Sequence, residues 1–177
     1  MQTSALAAKL ALLFLVASGL VFLHHGHIAI FLQSISGSFA RHLPKRLRGG
    51  NVRVLSSLMQ VDFGDPSVHY EVWVQRKTRA LEIGLHFEGE RERNERWAGA
   101  LAAHAAEIQA QLGPQAEIEA WTRKWTRLHE TVPIAGDEWR PKESLTPQLA
   151  EETSRRLARY ISVLQPIVAK ERKRVEG

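Results

Sequence analysis

The chain has 177 residues, of which 44% are hydrophobic and 24% are charged, so it is long enough for one folded domain and too apolar to be disordered as a whole. It contains no cysteine, which excludes disulfide bonds, thiolate metal sites and cysteine nucleophiles. Five of the 24 basic residues and none of the 19 acidic residues lie in residues 1–50, so the net charge of +5 belongs to that segment; residues 51–177 are neutral, which argues against nucleic acid as a partner.

The first predicted element is an apolar run from Leu10 to Leu23, followed by HHGH and a second apolar stretch that ends at Leu32. Residues 10–23 are short for a membrane-spanning helix, which needs about 20 residues, whereas residues 10–32 are long enough. Three interpretations stay open: a segment that enters or lies on a membrane, which we favour, a signal peptide, or an apolar helix that packs on the domain or on a partner. The HHGH stretch lacks nearby carboxylates, so neither a metal site nor a cofactor is predicted there.

A basic cluster follows the apolar segment; its members are Arg41, Lys45, Arg46 and Arg48. If the segment inserts into a membrane, this cluster predicts that the C-terminal part of the chain is cytoplasmic. A soluble cytoplasmic protein is the alternative. Apolar residues between Ile28 and Leu47 recur at helical spacing, which predicts an amphipathic helix that runs into the basic cluster and lies at the membrane surface. Gly49 and Gly50 mark the predicted boundary between residues 1–50 and a domain of residues 51–177.

Two alternating segments give the clearest strand signal. A first strand is predicted over Val52–Phe63, and residues 69–75 and 81–88 then alternate between apolar and polar side chains, as the two strands of a half-buried hairpin do. A turn centred on Thr78 and Arg79 would pair Glu71 with His86. A four-residue loop would shift the pairs but keep each side chain on its face.

A helix is predicted over Arg91–Leu112, a further extended segment over 116–129 and a loop over 132–144. In the extended segment alternation fails around Lys124 and Trp125, which indicates a bulge or a turn between two shorter strands.

The last predicted element is a long helix. Thr146 is suited to cap it and Pro147 to occupy its first position, while Pro166 is expected to kink it or to end it near residue 165. The pattern as a whole predicts an α+β fold, with an antiparallel sheet of about four to five strands packed against two long helices and an N-terminal apolar helical segment in addition.

One face of the predicted sheet collects acids, imidazoles and tryptophans. These candidate ligand-binding residues are His69, Glu71, Trp73, Glu82, His86, Glu119, Trp121 and Arg123. Such side chains on a concave sheet could hold a ligand or perform general acid/base chemistry. The ordinary alternative is a solvated face with cross-strand ion pairs, or a face covered by the N-terminal helix.

Three stretches of the sequence resemble a small, uncharacterised bacterial family. They are HYEVWVQRKTRALEIGLHFEGERERNERW, the W-x-x-x-W of Trp121 and Trp125, and LTPQLAEETSRRLARYISVLQP. The resemblance covers about residues 51–170 and leaves out the N-terminal segment. It implies no activity, cofactor or partner.

The sequence lacks a glycine-rich phosphate loop, HExxH and G-x-S-x-G, so no catalytic residue is assigned. We therefore predict a non-enzymatic binding or accessory domain, tethered to or lying on a membrane, that binds a partner protein or a small ligand through the Glu/His/Trp face. The alternative is an enzyme, either a metal-dependent nuclease-like protein or another acid/base catalyst that uses Glu71, Glu82 and His86. Asp65-Pro66 and Gln75-Arg76-Lys77 are the sequence elements closest to the metal-binding pattern of PD-(D/E)xK nucleases.

Overall fold

A computed structural model describes residues 26–136 and 138–177 and shows an α+β fold with one six-stranded antiparallel sheet. The strands are β1 Asn51–Val54, β2 Leu58–Asp62, β3 Val68–Gln75, β4 Ala80–Phe87, β5 Glu117–Ala120 and β6 Thr126–Pro133, in the order β1-β2-β3-β4-β6-β5. The helices are α1, described over residues 26–38, α2 Arg91–Ala102, α3 Ala105–Leu112, α4 Pro141–Ser144 and α5 Pro147–Glu176. Two 3-10 turns, Phe39–His42 and Lys45–Leu47, follow α1.

The β3–β4 hairpin has the predicted faces but a different register. Its loop consists of residues 76–79, so the strands pair Glu71 with Gly84, Trp73 with Glu82, and His69 with His86. This is the four-residue alternative, and the pairing predicted from a turn centred on Thr78 and Arg79 is wrong by two residues. A slip of two positions keeps every side chain on its face, because side chains alternate with a period of two.

The single strand predicted over Val52–Phe63 is a hairpin of two strands, β1 and β2, and this gives the sheet its sixth strand. The connection at residues 55–57 contains neither glycine nor proline, so the usual turn signal is missing. β1 is an edge strand whose side chains are mostly exposed. The predicted turn near Trp125 is present, since it separates β5 from β6.

The helix predicted over Arg91–Leu112 is interrupted at residues 103–104, which separate α2 from α3. His104 lies at the interruption, where one ring nitrogen is 3.0 Å from Glu171 of α5 and the other is 3.3 Å from Glu107 of α3. The imidazole therefore links α3 to α5. The helical periodicity of the sequence does not reveal tertiary contacts of this kind, so the interruption was not predicted.

Helix α5 begins as predicted, because the Leu149 amide donates to the Thr146 side chain at 3.1 Å and Pro147 occupies the first turn. It does not end near Pro166 but continues to Glu176. Pro166 is exposed, so water can solvate the backbone carbonyl that the proline leaves without a helical partner. Packing of the buried stripe beyond it, from Ile167 to Val175, holds the helix together.

The amphipathic stripe predicted after residue 28 exists, and its side chains are buried in the same hydrophobic core as the sheet and α5. Its buried members are Ile28, Phe31, Leu32, Ile35, Phe39, Leu43 and Leu47. Ser38 and Ser154 share a 2.5 Å hydrogen bond, and Arg41 forms an ion pair with Glu151 of α5. This face of α1 therefore contacts protein in the structure, not a membrane surface.

The apolar run Leu10–Leu23 lies outside the described residues. In the part of the chain that the structure describes, no helix has both the length and the hydropathy that a bilayer crossing requires. Ile28, Phe31 and Leu32, which belong to the predicted span of residues 10–32, are buried in the core. The division of the chain at residue 50 stays a prediction.

Gly84 lies where strands β4 and β6 approach each other closely at the centre of the sheet. A Cβ atom there would lie 2.7 Å from the Leu128 carbonyl oxygen and 2.7 Å from the His129 Cβ, so β4 and β6 must move apart to accept a side chain. We expect Gly84→Ala to lower the free energy of unfolding by about 1–3 kcal/mol, measured by urea denaturation.

Gly99→Ala is the matched control. Gly99 is exposed within α2, and a Cβ there meets no atom within 4 Å. Alanine should raise the free energy of unfolding by about 0.5–1 kcal/mol, because it favours the helix. Equal effects of the two substitutions would contradict the packing described at Gly84.

Candidate functional site

The side of the sheet opposite α5 carries a row of buried polar side chains on its central strands. Four of the eight candidate residues belong to it: His69 and Glu71 on β3, and Glu82 and His86 on β4, which are 1%, 4%, 1% and 1% exposed. We call these four residues the polar cluster. Their burial excludes the interpretation of this face as fully solvated.

The orientation of His69 follows from its neighbours. The Arg53 side chain can only donate hydrogen bonds, and it lies 3.0 Å from Oε1 of Gln60. The amide nitrogen of Gln60 therefore points away from Arg53, towards His69 and Glu71. That nitrogen lies 3.0 Å from His69 Nε2 and 3.0 Å from Glu71 Oε2. His69 Nε2 therefore accepts, while Nδ1–H donates to the Pro66 carbonyl at 2.9 Å, which makes His69 a neutral imidazole.

Glu82 forms a buried ion pair with Arg127. Nη1 of Arg127, on β6, lies 2.7 Å from both carboxylate oxygens, and Gln75 donates to Oε2 at 2.6 Å. Arg127 also donates to Glu119 of β5 through Nε and Nη2, at 3.0 and 2.8 Å. One guanidinium thus connects strands β4, β5 and β6.

His86 belongs to the polar cluster, and none of the described residues forms a hydrogen bond with its ring. Its Nε2 is 3.3 Å from Glu82 and its Nδ1 is 3.9 Å from Glu88, but neither contact has hydrogen-bond geometry, and both ring nitrogens are buried. The ring stacks on His69 with centroids 5.6 Å apart and an interplanar angle of 15°. Gly84 lies between Glu82 and His86 on this face, and its missing side chain leaves room for the two to approach each other.

The loop between β5 and β6 covers part of the polar cluster with an indole. Trp121 packs edge-on against His86 with ring centroids 5.7 Å apart, and it also contacts Trp73 and Trp125 at 6.1 and 5.8 Å. The guanidinium carbon of Arg127 lies 5.0 Å from the centre of the Trp121 ring, a cation–π contact. Access to His86 from this side therefore requires Trp121 to move.

The electrostatics of the site favour charged carboxylates. Burial raises the pKa of Glu71, whereas the hydrogen bond that its carboxylate accepts from the Gln60 amide lowers it. Burial and the charge of Arg127 lower the pKa of His129, which favours its neutral form. Arg127 forms an ion pair with Glu82, and among the described residues no arginine or lysine pairs with Glu71.

The remaining candidate residues lie outside the polar cluster. Trp73 and Trp121 are half-buried, Glu119 is exposed on the edge strand β5, and Arg123 is exposed in the β5–β6 loop, not on a strand. Arg123 therefore does not join the face as predicted, because β5 ends at Ala120.

Sequence reasoning missed Arg127, although the signal was available. Residues 126–131 alternate, with Leu128 in the core and Arg127 and His129 on the opposite face. The failed alternation at residues 124–125 obscured this second strand, β6. The two sequence elements compared with nucleases, Asp65-Pro66 and Gln75-Arg76-Lys77, do not come together. Asp65 precedes β3 and Gln75 ends it, so the two lie at opposite ends of that strand.

The structure brings Glu71, Glu82 and His86, the groups of the predicted acid/base alternative, into one contact network. Contact is necessary for such chemistry, but a substrate atom must also reach the groups. Each of the three is at most 4% exposed, so the conformation described here does not offer them to a substrate.

Comparison of the chain with protein-family models, with curated proteins and with solved structures yields no match. The resemblance to an uncharacterised bacterial family stays a prediction.

The Glu82–Arg127 pair can be tested by a double-mutant cycle. Arg127→Met leaves a buried carboxylate without its cation and should lower the free energy of unfolding by about 3–5 kcal/mol, measured in urea at pH 7. Adding Glu82→Gln removes the stranded charge, so the double variant should be more stable than Arg127→Met alone. A double variant that is less stable than Arg127→Met would show that the pair does not determine the stability of this region.

Proposed function

We propose that the chain is a non-enzymatic binding protein, held at a membrane by its N-terminal segment, whose sheet face binds a small organic anion with a flat apolar surface. The observation that carries the proposal is a pocket of about 540 Å³ where the tryptophans of the face meet the β3–β4 loop. Its lining includes Ser57, Trp73, Val74, Gln75, Arg76, Lys77, Thr78, Trp121 and Arg127. This volume is in the range of small-molecule sites.

The apolar wall of the pocket consists of two indoles. Trp73 and Trp121 meet at ring centroids 6.1 Å apart and an angle of 61°. A flat ligand does not fit between rings this close, so it would lie against their outer faces. Half-buried tryptophans provide a large, rigid contact area at a small entropy cost, which suits them to ligand recognition.

The polar part of the pocket favours a negative ligand. Arg76 and Lys77 are exposed at its rim, and among the described residues neither has an acidic partner. Arg127 lies deeper, where its contacts with Glu82 and Glu119 hold the guanidinium in a fixed position. Two cations at the rim attract an anion, while the fixed polar groups below orient it.

Burial of the polar cluster favours binding over catalysis. The acid/base enzyme alternative needs His86 and Glu71 to meet a substrate, and both lie beneath other side chains. The pocket, in contrast, is open beside Trp73 without any rearrangement.

The ligand proposal is tested by nuclear magnetic resonance of the five indole N–H groups. Naphthoate, a flat anion, should shift the signals of Trp73 and Trp121 and leave those of Trp97 and Trp139 in place. Naphthalenemethanol, which is flat and neutral, and inorganic phosphate, which is anionic without a ring, should bind more weakly. Lys77→Gln should weaken naphthoate binding up to about fivefold, as expected for one exposed charge, whereas Lys142→Gln on α4 should not.

Two results would contradict the ligand proposal. One is naphthoate binding that leaves the Trp73 and Trp121 signals unchanged. The other is equal affinity for naphthoate and naphthalenemethanol, since the charge at the rim would then have no role. Turnover of an added phosphodiester that depends on Glu71 would instead support the enzyme alternative.

The membrane part of the proposal is supported by the apolar run Leu10–Leu23 and by the basic residues that follow it. Arg41, Lys45, Arg46 and Arg48 are all exposed. Because Ile28, Phe31 and Leu32 pack in the core, we assign the tether to residues before 26.

Cell fractionation tests the tether. The full-length chain should sediment with membranes and resist a high-salt wash, because apolar insertion is not screened by salt. A chain that begins at residue 26 should appear in the supernatant. Recovery of the full-length chain in a membrane-free supernatant would exclude the tether and leave the ligand proposal untouched.

A further inference from the structure

We propose that His69, His86 and Glu88 bind a divalent transition-metal ion such as zinc, at the end of the polar cluster away from the tryptophan pocket. One ring nitrogen of each histidine and one carboxylate oxygen of Glu88 lie within 4.8 Å of one another. The two histidines face each other across β3 and β4, and Glu88 directly follows β4. The site does not depend on the proposed ligand pocket.

The first reason is the state of His86. Its side chain is 1% exposed, and within the described residues neither ring nitrogen has a hydrogen-bond partner. A buried polar group without a partner costs about 1–3 kcal/mol, so a fully buried imidazole with two such nitrogens calls for a further partner. A metal ion supplies one.

The second reason is charge. Glu71 and Glu82 are buried, and Glu88 adds a third carboxylate whose side chain is 24% exposed. Arg127 balances Glu82 and also contacts Glu119, while His69 is neutral because its Nε2 accepts from Gln60. The negative charge around His86 therefore exceeds the fixed positive charge, and a divalent cation would compensate it.

The third reason is the chemistry of the donors. Two imidazoles and one carboxylate are a ligand set of zinc and related metals, whereas magnesium and calcium prefer oxygen ligands alone. The hydrogen bond from His69 Nδ1 to the Pro66 carbonyl leaves Nε2 as the ligand atom, as the outer contacts of metal-binding histidines do. On metal binding, the Gln60 amide gives up its contact with Nε2 and keeps the one with Glu71. Partial exposure of Glu88 leaves a route for the ion and for a water molecule in the fourth position.

To bind one zinc ion, the ligand atoms of His69, His86 and Glu88 must move closer together. Ligand atoms on one tetrahedral zinc ion lie about 3.4 Å apart, as metal–ligand distances of about 2.1 Å imply. The three side chains would therefore close by roughly 1 Å on binding. Glu88 follows the last residue of β4, so its side chain is the one with the freedom to move.

The test uses the full-length chain after removal of metals with a chelator. Zinc titrated into it, followed by calorimetry, should bind with a stoichiometry of about one and should raise the Tm, while magnesium and calcium should not. Cobalt should give the intense visible bands of a four-coordinate site. Glu88→Gln should weaken zinc binding at least tenfold, whereas Glu90→Gln, a matched change at a side chain that is 82% exposed, should leave it unchanged.

The histidines of the HHGH stretch are a competing source of zinc ligands and need their own variant. A triple substitution, His24→Gln, His25→Gln and His27→Gln, should retain the binding that Glu88→Gln loses. His86→Leu should abolish the cobalt bands, and because leucine needs no polar partner, the metal-free protein should stay folded.

Three outcomes would overturn the assignment. They are the absence of stoichiometric zinc binding, binding to Glu88→Gln that equals binding to Glu90→Gln, and loss of binding in the HHGH variant. In each case no metal ion would bind between His69, His86 and Glu88.

Discussion

The buried contact between Glu82 and Arg127 is the interaction on which the organisation of the sheet face depends. A buried charged pair is tolerated when each charge is also hydrogen-bonded to other groups. Here Gln75 donates a hydrogen bond to Glu82, and Glu119 accepts one from Arg127. Arg127 holds the edge strand through Glu119 and supports the Trp121 ring from one side. The same guanidinium therefore fixes the end of the sheet, the position of the indole over His86 and one wall of the pocket.

The two faces of the sheet are both largely buried, but by different means. On one side apolar residues pack against α1, α2, α3 and α5 in a single hydrophobic core. On the other side long polar side chains cover one another, with the three tryptophans Trp73, Trp121 and Trp125 at their margin. A polar face that excludes water must satisfy its own hydrogen bonds, and it does so at His69, Glu71 and Glu82. Among the described residues of this face, Nδ1 of His129 also lacks a hydrogen-bond partner, but both ring nitrogens of His86 lack one, which is why the metal proposal centres on His86.

Periodicity was sufficient to place side chains on faces, and insufficient to describe their surroundings. Alternation in residues 69–75 and 81–88 correctly put His69, Glu71, Glu82 and His86 together, because face assignment survives a two-residue error in register. Periodicity could not show that these residues are buried, since the side chains that cover them are Trp121, in a loop, and Arg127, which is 45 residues after Glu82 in the sequence. Two interruptions were also missed, one in the strand predicted over Val52–Phe63 and one in the helix predicted over Arg91–Leu112, because no glycine or proline marks either one. The cap at Thr146 was predictable, since it depends on its immediate neighbours alone.

The hydrogen bond between Ser38 and Ser154 joins positions 116 residues apart, and it has a consequence for how the protein is made. The apolar stripe of α1 packs in a core that includes α5, which leaves the ribosome after all the other elements of that core. While the intervening strands are being translated, Phe31 and Leu32 lack their final neighbours and stay accessible to chaperones or to the bilayer. Synthesis order therefore leaves the apolar stripe of α1 exposed for an interval, before the domain closes around residues 28–47.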